Sequence, residues 1–167
     1  GGLTVAEIAH AFLVPETTMA QRITRAKAKI KQARIPYRVP QGNDLPSRMS
    51  TVLAVLYLIF NEGYLSTSPE SVREELCTEA IRLTRQLRET SAQLGPQPEV
   101  LGLLALMLLL DARRPARVRD GVLVVLPDQD RSSWNSAQIE EGHALVRQCL
   151  ELNRPGPYQI QAAINAV

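Results

Sequence analysis

The sequence predicts an all-α protein with one small β-hairpin, built as a helix-turn-helix segment followed by a helical-hairpin domain. Three observations lead there. Apolar residues recur at helical spacing along most of the chain. Pro- and Gly-rich breaks cut the periodic runs into helices of about 15 to 20 residues. Only Arg117 to Leu126 changes period, with Asp120-Gly121 set between β-branched residues, which is the strongest short hairpin signal. At 167 residues, 45% apolar and 22% charged, the chain is long enough to bury a core and too apolar to stay disordered.

The first helix is placed by Thr4 and Glu7, whose three-residue spacing is a capping box. Val5, Ile8, Ala9 and Phe12 then form its apolar face. Pro15 cannot sit in a helix interior but suits the start of the next helix, which is predicted over about residues 15–33. Met19, Ile23, Ala26 and Ile30 make an apolar stripe on this second helix, and Met19, Ile23 and Ile30 are expected to be structural. The opposite face carries Gln21, Arg22, Thr24, Arg25, Lys29 and Gln32. Residues 1–35 form the helix-turn-helix, residues 36–46 a proline-rich linker, and residues 47–167 the helical domain.

In that domain, Asp44 and Pro46 suit the start of a helix whose broad face is Met49, Val52, Leu53, Leu56, Ile59 and Phe60, ending near Asn61 with Gly63 as a left-handed cap. A loop through Ser66 and Pro69 leads to a helix over 71–89, with Leu76, Ala80, Leu83 and Leu87 inward. After Gly95, Pro96 and Pro98 comes an apolar helix over about 99–112. Its run from Val100 to Leu110 is about half the length that crosses a bilayer, so it reads as a buried helix. The hairpin follows, then a polar connection, then a helix opened by Ser136, then a last segment from Tyr158. The chain begins at Gly1-Gly2 without a methionine and ends without a cap, so a piece cut at both ends is expected.

Net charge is +2, but residues 1–34 hold six basic against two acidic side chains, and all three lysines fall between positions 27 and 31. This asymmetry suggests a basic module that meets a polyanion. In a helix-turn-helix the second helix enters the major groove, where guanidinium and amide groups pair with base edges and lysines neutralise phosphates. Arg22 and Arg25 are assigned to bases or phosphates, Gln21 and Thr24 to base edges, and Lys27, Lys29 and Lys31 to phosphates.

These residues also carry a resemblance. Leu3-Thr4-Val5-Ala6-Glu7-Ile8-Ala9, with the run Val14-Pro15-Glu16-Thr17-Thr18-Met19-Ala20-Gln21-Arg22-Ile23-Thr24-Arg25-Ala26-Lys27, resembles the C-terminal promoter-recognition part of extracytoplasmic-function sigma factors of bacterial RNA polymerase. Thr18, Met19, Arg22, Ile23, Arg25 and Ala26 match the pattern of the second helix, and Thr18 joins the DNA-binding set on that ground. Lys27 replaces the last arginine, and Ala20 stands where the family often carries Lys or Arg. Residues 35–40, 52–64, 101–107, 111–117, 128–131 and 156–164 are similar to the helical C-terminal extension of one group of these factors, which continues into tetratricopeptide-like repeats. The resemblance implies a transcription initiation factor with promoter DNA and core RNA polymerase as partners. It places the polymerase-binding domain upstream and a regulatory role in the extension.

Two other classes fit the residues: a helix-turn-helix repressor acting as a dimer, and a helical protein- or ligand-sensing module with an inert DNA-binding remnant. The uncovered stripe of Val5, Ile8, Ile23 and Ile30 would then invite self-association. A candidate regulatory pocket gathers Asn61, Glu62, Tyr64, Arg113, Arg114, Asp130 and Arg131. The charges near the hairpin, with Asp111, Arg117 and Asp128, read either as a site for an anionic ligand or as an interlocking structural network. Trp134 is expected to pack over that loop. His10 and His143 have no neighbours at metal-ligand spacing, so no metal or other cofactor is expected. Cys77 and Cys149 read as small core residues of a cytoplasmic protein. No nucleophile triad, glycine-rich phosphate loop or paired-carboxylate motif points to an enzyme, and no membrane span is expected.

Overall fold

A computed structural model describes residues 4–33, 45–65 and 71–166. The described residues are all-α apart from one two-stranded antiparallel ribbon, as the sequence predicts. The chain divides into two units, residues 1–52 and 53–167. That boundary falls inside the third helix. The connector from residue 34 to 44, with the Asp44 cap, and the loop around Ser66 and Pro69 lie outside the described residues.

In the first unit, α1 (Val5–Ala11) begins at the capping box. The Glu7 amide donates to Thr4 Oγ1 at 3.3 Å, and Glu7 Oε2 accepts from the Thr4 amide at 2.6 Å. The turn closes with Leu13 at φ 52° and the Val14 amide donating to the Ala9 carbonyl at 3.0 Å. Pro15 then precedes α2 (Glu16–Gln32). The two helices pack together, and Ala9 on α1 and Met19 on α2 are their buried residues. Val5, Ile8 and Ile23 are half-buried. Ile30, expected to be structural, is instead 55% exposed, because the short α1 is too brief to reach the last turns of α2.

The second unit is organised around α5 (Pro98–Asp111). A helix that is apolar on every side must be surrounded. Val100, Gly102 through Leu109, Asp111 and Ala112 are all buried, against α4 (Ser71–Ser91), α7 (Ser136–Leu152) and α8 (Pro157–Asn165). Full burial of a leucine contributes about 1.5–3 kcal/mol, so Leu103, Leu104, Leu106, Leu108 and Leu109 dominate the stability of this unit. Two features let α8 lie close to α5. Gly102 has no side chain where the Gln159 backbone passes, and Glu99 caps α8, its carboxylate accepting from the Tyr158 and Gln159 amides at 3.2 and 3.4 Å. The Gln159 side-chain amide adds a 3.0 Å bond to the same carboxylate.

Helix α3 (Leu45–Tyr64) buries Leu53, Leu56, Ile59 and Phe60 as expected, while Val52 is 42% exposed. It runs to Tyr64, not Asn61, and Gly63 is helical and buried, not a left-handed cap. The reason is long-range: Arg117 donates to the terminal Tyr64 carbonyl, so no glycine turn is needed. On α4 the buried set is Cys77, Ala80, Ile81, Thr84 and Ser91, with Leu76, Leu83 and Leu87 only half-buried. The inward face is therefore rotated from the expected leucine stripe. Thr84 can face inward because its hydroxyl bonds the Ala80 carbonyl at 2.8 Å.

Between α5 and α7 lie the short helix α6 (Arg114–Arg117), strands β1 (Val118–Arg119) and β2 (Val122–Leu123), and two 3-10 turns at Leu126–Asp128 and Arg131–Ser133. Asp120 and Gly121 take φ of 52° and 77°, the double left-handed geometry of a tight hairpin turn. Asn135, one residue earlier than expected, caps α7 by accepting from the Gln138 amide at 3.2 Å. Among the described residues no helix is long and apolar enough to cross a membrane.

Candidate functional site

The basic face of α2 is laid out as the sequence suggests. Gln21, Arg22, Thr24, Arg25, Lys27, Lys29 and Lys31 are all exposed, and Thr18 is half-buried in the first turns. Two of the candidate base readers touch: Arg25 Nη2 donates to Gln21 Oε1 at 3.4 Å, one helical turn away. Thr24 is turned inward on its own helix, its hydroxyl bonded to the Ala20 carbonyl at 2.9 Å. A base contact by Thr24 would exchange that bond. The turn ahead of α2 presents Phe12 at 52% and Leu13 at 90% exposure, an apolar tip beside a basic helix.

The candidate pocket of the second unit is divided by the structure into separate jobs. Asp111 is buried, and its carboxylate accepts from Arg114 Nε and from the Gln138 side-chain amide, both at 2.9 Å. Arg114 also reaches Glu74 at 2.8 Å. Burial opposes the charge of Arg114, but Asp111 and Glu74 beside it outweigh burial and hold its guanidinium more firmly protonated than usual. This part is the interlocking network. Asp130 is not in it: it is exposed and caps the second 3-10 turn, taking the Ser132 amide at 2.9 Å and hydroxyl at 2.7 Å, bonds that lower its pKa. Asn61 is half-buried, with its carbonyl bonded to the Leu65 amide at 2.8 Å, and Glu62 is buried and partnered.

The remaining residues form a run of guanidinium-on-aromatic contacts. Tyr64 stacks on Phe60 with ring centroids 5.6 Å apart. The Arg117 guanidinium lies 4.2 Å from the Tyr64 ring centroid, while Arg113 and Arg131 lie 5.1 and 5.4 Å from that of Trp134. Arg113 also donates to the Asn165 carbonyl, so Arg113 and Arg117 satisfy the C-terminal carbonyls of α8 and α3. Burial raises the Tyr64 hydroxyl pKa and lowers that of Arg113. The sequence marked these charges and the neighbouring tryptophan; it carried no signal for the capping of helices 50 residues away. Glu99 and Gly102, which seat α8, were missed for the same reason.

The cysteines are core residues, as read from the sequence. Cys77 donates to the Phe60 carbonyl at 3.6 Å and Cys149 to the Pro98 carbonyl at 3.7 Å, and neither is in a disulfide.

A curated protein of Rhizobium meliloti (strain 1021), described as uncharacterised, is 48% identical over 169 residues. The match covers 99% of this chain and 39% of the relative, so the chain spans well under half of that protein's length. No solved structure matches. Residues 48–150, from within α3 to the later turns of α7, match the family described as a family of unknown function, DUF6596. The match takes in α4, α5, the hairpin and the arginine-aromatic run but stops before α8, and the chain belongs to the DUF6596 family.

Proposed function

We propose that the chain is the promoter-recognition segment and helical extension of a sigma-type transcription initiation factor. The observation that carries this reading is the first unit: a capped short helix, a tight turn, and a second helix whose outer face exposes Gln21, Arg22, Arg25, Lys27, Lys29 and Lys31. The sequence resemblance gives that geometry its specific reading. Arg22 and Arg25 address bases or phosphates in the upstream promoter element, Gln21 and Thr24 touch base edges, and the lysines hold the phosphates. Core RNA polymerase is the protein partner, the compartment is the cytoplasm, and the helical domain regulates rather than catalyses.

The test is selection of genomic DNA fragments on the 167-residue protein, followed by anisotropy titration of the recovered sequence. A single shared motif, bound at least tenfold more weakly after Arg22→Ala with Arg25→Ala, supports the reading. Unselective binding that is unchanged by those substitutions overturns it.

A second reading, a dimeric helix-turn-helix repressor, is favoured by the apolar exposure of Phe12, Leu13 and Ile30. A recovered motif with inverted-repeat symmetry, together with a dimer in gel filtration, selects it.

A further inference from the structure

We propose that the arginine-aromatic run of the second unit is a binding site for a small phosphate-bearing anion, seated beside Trp134 between Arg113 and Arg131 with Arg117 alongside. The proposal does not depend on the DNA-reading assignment of the first unit.

Three observations point to an anion. Among the described residues, the ion pairs join Arg82, Arg85 and Arg114 to carboxylates and leave out Arg113, Arg117 and Arg131. Of the acids in this region, Asp130 is held by Ser132 and Ser133, and Asp111 by Arg114 and Gln138. Arg113 and Arg131 share the Trp134 ring and oppose each other's charge, and an anion between them relieves that repulsion. The second observation is a pair of orphan donors. Arg113 Nε and Trp134 Nε1 are buried and have no hydrogen-bond partner among the described residues, although they belong to the same stack. A buried donor without an acceptor is costly, and two on stacked neighbouring side chains call for an acceptor with several oxygens. The third is geometry. Carbonyl bonds fix the guanidiniums of Arg113 and Arg117 at helix ends, while Arg131, resting on the Trp134 ring, is exposed to an incoming ligand. Forked N–H donors of this kind match phosphate oxygens in pairs.

Trp134 is the single tryptophan of the protein, so its emission reads the site. The 167-residue protein is titrated with inorganic phosphate, and in a parallel arm with adenosine monophosphate, against potassium chloride at constant ionic strength. A saturable change in emission that chloride does not produce is expected. Tighter binding of the monophosphate ester identifies an organic phosphate as the source, and equal or weaker binding identifies free phosphate. Arg131→Ala removes an exposed side chain and is expected to weaken binding at least tenfold with an unchanged circular dichroism spectrum. Arg82→Ala, at a remote surface pair, is expected to leave it unchanged. A response that is unsaturable, that chloride reproduces, or that survives Arg131→Ala overturns the proposal.

Discussion

Gly102→Ala tests how α5 and α8 come together. A Cβ at this position would stand 2.6 Å from the Gln159 backbone nitrogen, 2.7 Å from its Cγ and 2.9 Å from its Cα. Ordinary contacts begin at 3.4 Å, so α8 must retreat by about 0.8 Å or α5 must bend. The obstacle includes backbone, which cannot rotate away as a side-chain tip does. Overpacking of this kind costs about 1–3 kcal/mol, and a backbone clash belongs at the upper end. In the opposite direction, alanine is the better helix former by about 1 kcal/mol. The net expectation is a loss of about 2 kcal/mol. Urea unfolding followed by circular dichroism measures it, with Gly142→Ala as the comparison. There the added Cβ meets side-chain atoms, Leu109 Cγ at 2.8 Å and Cδ2 at 2.9 Å, while the Ala105 backbone carbonyl oxygen stands at 3.5 Å, so the loss is smaller. A Gly102→Ala protein as stable as the parent, or more stable, refutes the close approach of the two helices.

Glu99→Ala strips three hydrogen bonds from the start of α8 and is expected to cost about 2 kcal/mol, read as a lower urea midpoint. Arg114→Ala leaves the buried Asp111 carboxylate without its cation and is expected to cost about 3 kcal/mol, with Asp111→Asn in the same background recovering part of the loss. Burial, with the Asp111 charge adding, pushes the Cys77 thiol up to about 12; burial, with Glu99 adding, pushes Cys149 to about 11. Unfolded thiols ionise near 9.0, so these groups leave stability unchanged below that pH and reduce it as pH rises from about 9 towards 11 to 12. At pH 8 neither thiol is expected to react with a disulfide reagent until urea unfolds the protein. Lys29→Ala is expected to weaken DNA binding across all sequences and lower the salt slope by about 1.

What the sequence made legible was local. The Thr4–Glu7 spacing announced the start of α1, Pro15 the start of α2, and Asp120-Gly121 the hairpin turn, because each depends on a few adjacent residues. The unbroken apolar run 100–110 announced a surrounded helix. What stayed hidden was set by distant partners. Arg117 extends α3 to Tyr64 from 53 positions away, so Gly63 misled as a cap. Thr84 faces the core because its hydroxyl is satisfied within its own turn, which makes the leucine stripe of α4 a poor guide to its inward side. In the candidate pocket, charge spacing grouped residues to which the structure gives separate jobs. It did not separate Asp130, a turn cap, from Asp111, the centre of the network.

Run-off transcription is the most direct measurement of the central claim. The open reading frame that encodes the chain is expressed from its own start codon and added to bacterial core RNA polymerase on a library of fragments from the same genome. The account predicts discrete transcripts that require the protein, share one upstream element, and vanish when Arg22 and Arg25 are both replaced by alanine. A protein that neither binds core polymerase nor yields a transcript would contradict it.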